Sequence, residues 1–209
     1  EISLGLVGSE MCIRDRQDTE TSEGHTFGYS CIDIYNPYYD VVKESIRGEL
    51  EAKGDTLVVK NPDGDVNKLQ QIQEMIDEGV DAVFLAPVDW EAIKPALEAL
   101  DEADIPVINV DTQVKDTDLT AAYIGSDNKN AGAVCGENLK TQCPDGGKVV
   151  LLECPSQNSV NERITGFEEA IKNAGFEVVA RADAGGTKES AKEKMAQILA
   201  ENPQVDAVM

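Results

Sequence analysis

Four short stretches carry side chains that could act together. They are Asn36-Pro37-Tyr38-Tyr39, Asp111-Thr112-Gln113, Gly125-Ser126-Asp127-Asn128, and the run from Gln157 through Ser159 to Arg163. Between them they offer amides, phenols, a carboxylate, hydroxyls and a guanidinium. Such a set suits a neutral polyhydroxyl ligand, because hydroxyls both donate and accept hydrogen bonds. Asp111 can accept from them while Arg163 and Asn36 donate, and a bond to a charged group is worth about 1.5–3 kcal/mol. The faces of Tyr38 and Tyr39 can pack on apolar C–H surface.

This is chemistry of binding rather than turnover. The sequence has no GxSxG, HExxH or paired Cys/His set, so no residue is assigned a catalytic role. The single histidine, His25, and the lack of any CxxC leave no metal site. Asp63, Asp65, Asn67 and Glu74 match positions 1, 3, 5 and 12 of a calcium loop, but Lys68 occupies position 6, where the loop needs glycine. That acidic segment feeds a helix and reads as N-terminal capping. Gly185-Gly186-Thr187-Lys188 lacks the spacing of a phosphate loop. No cofactor is implied.

The elements that must position these residues follow from periodicity. Strand-like runs are predicted over Thr26–Ile32, Thr56–Val59, Asp81–Leu85, Ile105–Val110, Ala121–Ile124, Lys148–Leu152, Glu177–Ala182 and Val205–Met209. Helical spacing is predicted over Tyr39–Lys53, from Leu69 to a stop at Gly79, and over Trp90–Ala103 with a bend near Pro95. Further helices are predicted over Asn130–Thr141, Ser159–Ala174 and Thr187–Ala200. Short strands alternating with helices imply an α/β fold with parallel sheets covered on both faces. Two rounds of the pattern suggest two similar doubly wound lobes joined by a hinge. The first spans residues 26–125 and the second residues 126–209. In such folds ligands bind beyond the carboxyl ends of the strands, and the four stretches stand there.

Composition narrows the partners. The chain has 209 residues, 41% of them hydrophobic, enough for a sizeable core. No apolar run approaches the roughly 20 residues of a membrane span. Eighteen basic against forty acidic residues give a formal charge of -22, which repels phosphate backbones and argues against nucleic acid. Five cysteines stand at 12, 31, 135, 143 and 154; the spacing alone does not support a Cys135–Cys143 pair, and free buried thiols are the default. Each site candidate also has a plainer use. Asn36-Pro37 can start a helix, Tyr38 and Tyr39 can be core, Asp127 can cap a helix, and Arg163 can lie on a surface. Their joint placement at strand ends is what favours a site.

The stretches NPYY (Asn36–Tyr39), NVDTQ (Asn109–Gln113), IGSDN (Ile124–Asn128) and NERITGF (Asn161–Phe167) occur in that order. With them the chain from about Thr26 to Met209 resembles the periplasmic sugar-binding proteins of the ribose- and galactose-binding type, the solute receptors of ABC importers. The resemblance implies two lobes that close around a sugar. It implies that Asn36 bonds a hydroxyl, that Tyr38 and Tyr39 stack, and that Asp111 accepts. Ser126 would serve at the first hinge crossing and Arg163 in the second lobe, with Ser159 and Gln157 as neighbours. It implies a monomer outside the cytoplasm, periplasmic or lipid-anchored, with a sugar and the importer's membrane subunits as partners and no enzymatic activity. Two departures count against ribose in particular: Thr112 stands where some members place arginine, and Ala184-Gly185-Gly186 where an aromatic often follows. The effector domain of a transcriptional regulator and a chemotaxis or signalling receptor share the fold and are the alternatives.

The resemblance also bears on the ends. The chain stops in a second-lobe strand, whereas the family continues with more of that lobe, two further hinge crossings and the rest of the first lobe. A truncated chain of this kind is expected to bind sugar poorly and to expose core surface. At the other end, residues 1–16 (EISLGLVGSEMCIRDR) begin with Glu1 and lack a basic start and a small-residue cleavage site, so they do not read as an export signal. They resemble a translated adapter remnant and are read as non-native, which removes Cys12 from the count. Residues 17–25 read as a flexible lead-in.

Overall fold

A computed structural model describes residues 24–32, 36–60 and 68–209. The readings on residues 1–23 and on Asp63, Asp65 and Asn67 lie outside the described residues.

The alternation of strand and helix holds throughout. In order the elements are β1 (Thr26–Ser30), α1 (Pro37–Glu51), β2 (Thr56–Lys60), α2 (Leu69–Asp77), β3 (Ala82–Leu85), α3 (Lys94–Glu102), β4 (Val107–Val110), a 3-10 turn (Thr117–Leu119), β5 (Ala122–Ile124), α4 (Asn128–Gln142), β6 (Gly147–Glu153), α5 (Asn158–Ile171), β7 (Phe176–Asp183), α6 (Lys188–Glu201) and β8 (Ala207–Val208). They build two parallel sheets, one of order β2-β1-β3-β4-β5 and one of order β7-β6-β8. In the first sheet the chain winds one way from β1 to β2 and the other way from β3 to β5, so the crevice beyond β1 and β3 is a topological switch point.

The sequence dictates this layering. Along β3, Val83 and Leu85 point to one face and join Ile72, Met75, Leu97 and Leu100 of α2 and α3. Phe84 and Ala86 point the other way, toward Tyr39, Leu50 and Ile46 of α1. An apolar run of this kind buries both faces of a central parallel strand. In the second sheet Val149 and Leu151 pack on Ile164, Phe167 and Ile171 of α5.

Most boundaries fall within a few residues of the periodicity reading. The chief correction is α3. It starts at Lys94, not Trp90, and Pro95 lies in its first turn without bending it. The Asp89 carboxylate accepts from the backbone N–H groups of Glu91 and Ala92 at 2.9 and 2.8 Å, which folds Trp90–Ile93 into a turn. Proline is well suited to a first turn, where its missing N–H costs nothing. None of the four described cysteines is in a disulfide. Cys143 caps the helix that carries Cys135, so about 12 Å of helix separates them, beyond the reach of a disulfide.

Among the described residues, hydrogen bonds join the lobes directly. The Trp90 N–H donates to the Ser156 carbonyl at 3.0 Å. Thr112 Oγ1 lies 2.8 Å from Ser159 Oγ, with both residues buried.

Candidate functional site

The loop after β4 is built around Asn109, whose side chain is completely buried. Its Nδ2 donates to the carbonyls of Leu85 and Thr112 at 3.1 and 2.9 Å, and its Oδ1 accepts from the Val114 N–H at 3.0 Å. One amide thus ties β3 to a turn that projects Asp111. Asp111 itself sits at φ +66, in the left-handed region that costs a non-glycine residue about 1–3 kcal/mol.

Four hydroxyls surround Asp111, that of Tyr38 among them. Tyr39 Oη donates to Oδ2 at 2.7 Å, and Thr112 Oγ1 lies 3.4 Å from the same oxygen. Tyr123 Oη donates to the Asp111 carbonyl at 2.7 Å. The phenols of Tyr38, Tyr39 and Tyr123 are all held above the ordinary phenol range, first by burial. The Asp111 carboxylate adds to the rise in all three. The Arg163 guanidinium partly offsets it for Tyr38 and Tyr123.

Arg163 is placed by a close helix crossing. A Cβ on Gly132 of α4 would lie 1.9 Å from the Arg163 carbonyl, and one on Gly166 of α5 would lie 1.9 Å from the Lys129 carbonyl. Only glycine lets the two backbones approach this closely. Buried Asn128 then accepts from Arg163 Nε at 2.9 Å and fixes the direction of the side chain.

The expected residues divide. Tyr38 is 51% exposed and keeps a ring face for a ligand. Tyr39 does not stack as expected: its ring is buried and its hydroxyl is committed to Asp111. Asn36 Oδ1 accepts from the Tyr38 N–H at 3.0 Å and caps α1, so its Nδ2 is the end that could serve a ligand. Ser159 is paired with Thr112 across the lobes. Gln157 stands at the start of α5 against Gly186. Ser126 lies exposed in the β5–α4 crossing, where Asp127 caps α4 through the Asn130 N–H at 3.0 Å.

Four contributors escaped the sequence reading: Asn109, Tyr123, Asn128 and Lys68. Asn109 and Asn128 were visible only as letters inside NVDTQ and IGSDN. Lys68, noted there for breaking a calcium loop, is fully buried. Its Nζ donates to Ser30 Oγ at 3.1 Å and to the Cys31 carbonyl, securing the end of β1 beside the switch point. A separate cavity of about 710 Å³ opens between Asp89–Ala92 and Pro155, Ser156 and Asn161, beside the lobe junction rather than at Asp111.

Residues 27–209 match the periplasmic binding protein domain family. The chain belongs to that family. Among relatives, the ribose import binding protein of Salmonella typhimurium is 28% identical over 84% of this chain and 60% of its own length. The galactofuranose-binding protein of Escherichia coli (strain K12) is 31% identical over 85% of this chain and 58% of its own. A Mycobacterium smegmatis protein solved with β-D-fucofuranose superposes with a TM-score of 0.77 at 29% identity, covering 88% of this chain and 63% of that one. The chain therefore spans about 60% of the length of the relatives it matches.

Proposed function

We propose that this chain captures a sugar between its two lobes, as part of an extracytoplasmic solute receptor that passes the sugar to the membrane subunits of an ABC importer. The observation that carries the reading is that Thr112, beside Asp111 on one lobe, meets Ser159 on the other, one turn of α5 before Arg163. Tyr39 occupies one carboxylate oxygen of Asp111. The other can accept from a ring hydroxyl while the Arg163 guanidinium donates and Tyr38 covers a C–H face. A ligand touching both lobes favours the closed arrangement by its differential contacts, which is how capture becomes a shape change. The named ligands of the relatives support a sugar, and furanose forms recur among them. The site binds and does not turn its ligand over.

Calorimetry with a panel of aldoses, furanosides and polyols, on the protein extended to the full length of its relatives, tests this. Micromolar or tighter binding of at least one sugar is expected. Binding of another solute class, with no response to any sugar, refutes it.

A further inference from the structure

We infer that Tyr123 is a positioning residue for Asp111, and that it makes glycine obligatory at position 125. The inference rests on the sugar-site reading for its functional consequence, but its structural content stands apart. Asp111 is held left-handed at φ +66, which needs support from its surroundings. Its N–H donates to the Ile124 carbonyl at 2.9 Å, and its carbonyl accepts from Tyr123 Oη at 2.7 Å. Both peptide groups of Asp111 are thereby bound to β5, the strand that leads directly into the crossing between the lobes. The carboxylate of Asp111 points where it does because this backbone is fixed and Tyr39 then receives one oxygen.

Gly125 gives independent support. A Cβ there would lie 2.1 Å from Tyr123 Oη, 2.4 Å from its Cζ and 2.9 Å from the Asp111 carbonyl. Gly125 is not among the residues with positive φ, so its own backbone would accept alanine. What bars a side chain is first the Tyr123 ring in place on Asp111, and then the Asp111 carbonyl itself. Tyr123 also stands near Glu162 of α5, whose carboxylate together with burial holds the phenol protonated and able to donate. The residue therefore joins Asp111 of the first lobe to the strand that enters the crossing.

Y123F keeps the ring and deletes the donor. Backbone chemical shifts of Asp111, read by NMR in the 209-residue chain, are expected to leave the left-handed range in Y123F, with circular dichroism unchanged. G125A is expected to give the same Asp111 signature by pushing the ring away, and to add a much smaller change in a Y123A background, where only the 2.9 Å contact with the Asp111 carbonyl remains. Left-handed shifts that persist in both Y123F and G125A overturn the inference, whatever the ligand data show. In the protein at the full length of its relatives, affinity for the tightest-binding sugar of the calorimetry panel is expected to fall about five- to tenfold in Y123F, the worth of about one hydrogen bond. D111N is the control. If D111N weakens that sugar but Y123F does not, the positioning role is refuted. If neither weakens it while the shifts move as expected, the inference about Asp111 holds and the sugar assignment of the site fails.

Discussion

Replacing Gly132 by alanine offers the sharpest test of how the second lobe sets Arg163. In an uncrowded helix the change should stabilise, because alanine exceeds glycine in helix propensity by about 0.8–1 kcal/mol. Here the new methyl would stand 1.9 Å from the Arg163 carbonyl, a contact that real Cβ atoms do not make below 3.0 Å. The crossing of α4 and α5 must open by about 1 Å, lifting Phe167 and Ile171 from their packing against β6. Overpacking of a close-packed site costs about 1–3 kcal/mol, and a backbone collision belongs at the upper end. Set against the propensity gain, a net loss of about 2 kcal/mol is expected. Urea unfolding followed by circular dichroism reads it as a midpoint lowered by about 1 M for a slope of about 2 kcal/mol per molar. G48A is the matched control: Gly48 lies inside α1 with nothing within 4 Å of the place a methyl would occupy, and should stabilise by up to about 1 kcal/mol. The double variant G132A/G166A should cost less than the sum of its parts, since one separation relieves both collisions. If G132A is neutral, or stabilises as G48A does, the close-crossing account of Arg163 is wrong.

Other outcomes follow from the same contacts. Y39F should weaken sugar binding about tenfold, because an Asp111 oxygen loses a charge-assisted partner at 2.7 Å; calorimetry against wild type measures it. T112V removes one hydroxyl from the buried Thr112–Ser159 pair and should shift the ligand-free lobes about fivefold toward opening. Small-angle scattering and the emission of Trp90, the only tryptophan, report that shift. Tyr29, Tyr38, Tyr39 and Tyr123 all have phenols raised in the folded state, so above about pH 10 the folded chain holds more protons than the unfolded one. Their contribution is complete below about pH 10 and is lost as pH rises beyond it. Absorbance at alkaline pH should therefore show the buried Tyr29 and Tyr39 phenols ionising together with unfolding, and their ionisation in a chain that stays folded would contradict that burial.

The fold was largely legible because its signals are local. The run at Ala82–Leu85 and the spacing of Leu69, Ile72 and Ile76 state their elements without help from distant residues. α3 was misplaced because Trp90 and Ile93 continue its apolar spacing, whereas a side-chain bond from Asp89 settled the turn. The site was legible by residue type and less so by role. The Tyr38 phenol feels both Asp111 and Arg163, while Tyr39 supports the carboxylate and Ser159 faces Thr112. Those assignments depend on distances between residues 72 and 47 positions apart in the chain, which periodicity does not encode. Asn109 and Lys68 escaped for a related reason. A buried polar residue declares itself only when its partners are known.

Among the described residues none of the three apolar clusters spans the two sheets, and the direct bonds between the lobes join hydroxyls and backbone. Heat capacity rises mainly with apolar surface exposed. Parting these lobes should therefore carry a small heat-capacity change, unlike unfolding either one. The free energy of opening would then run almost linearly with temperature while the stability of each lobe follows a dome. A receptor built this way could keep nearly the same open fraction across a wide range of temperatures.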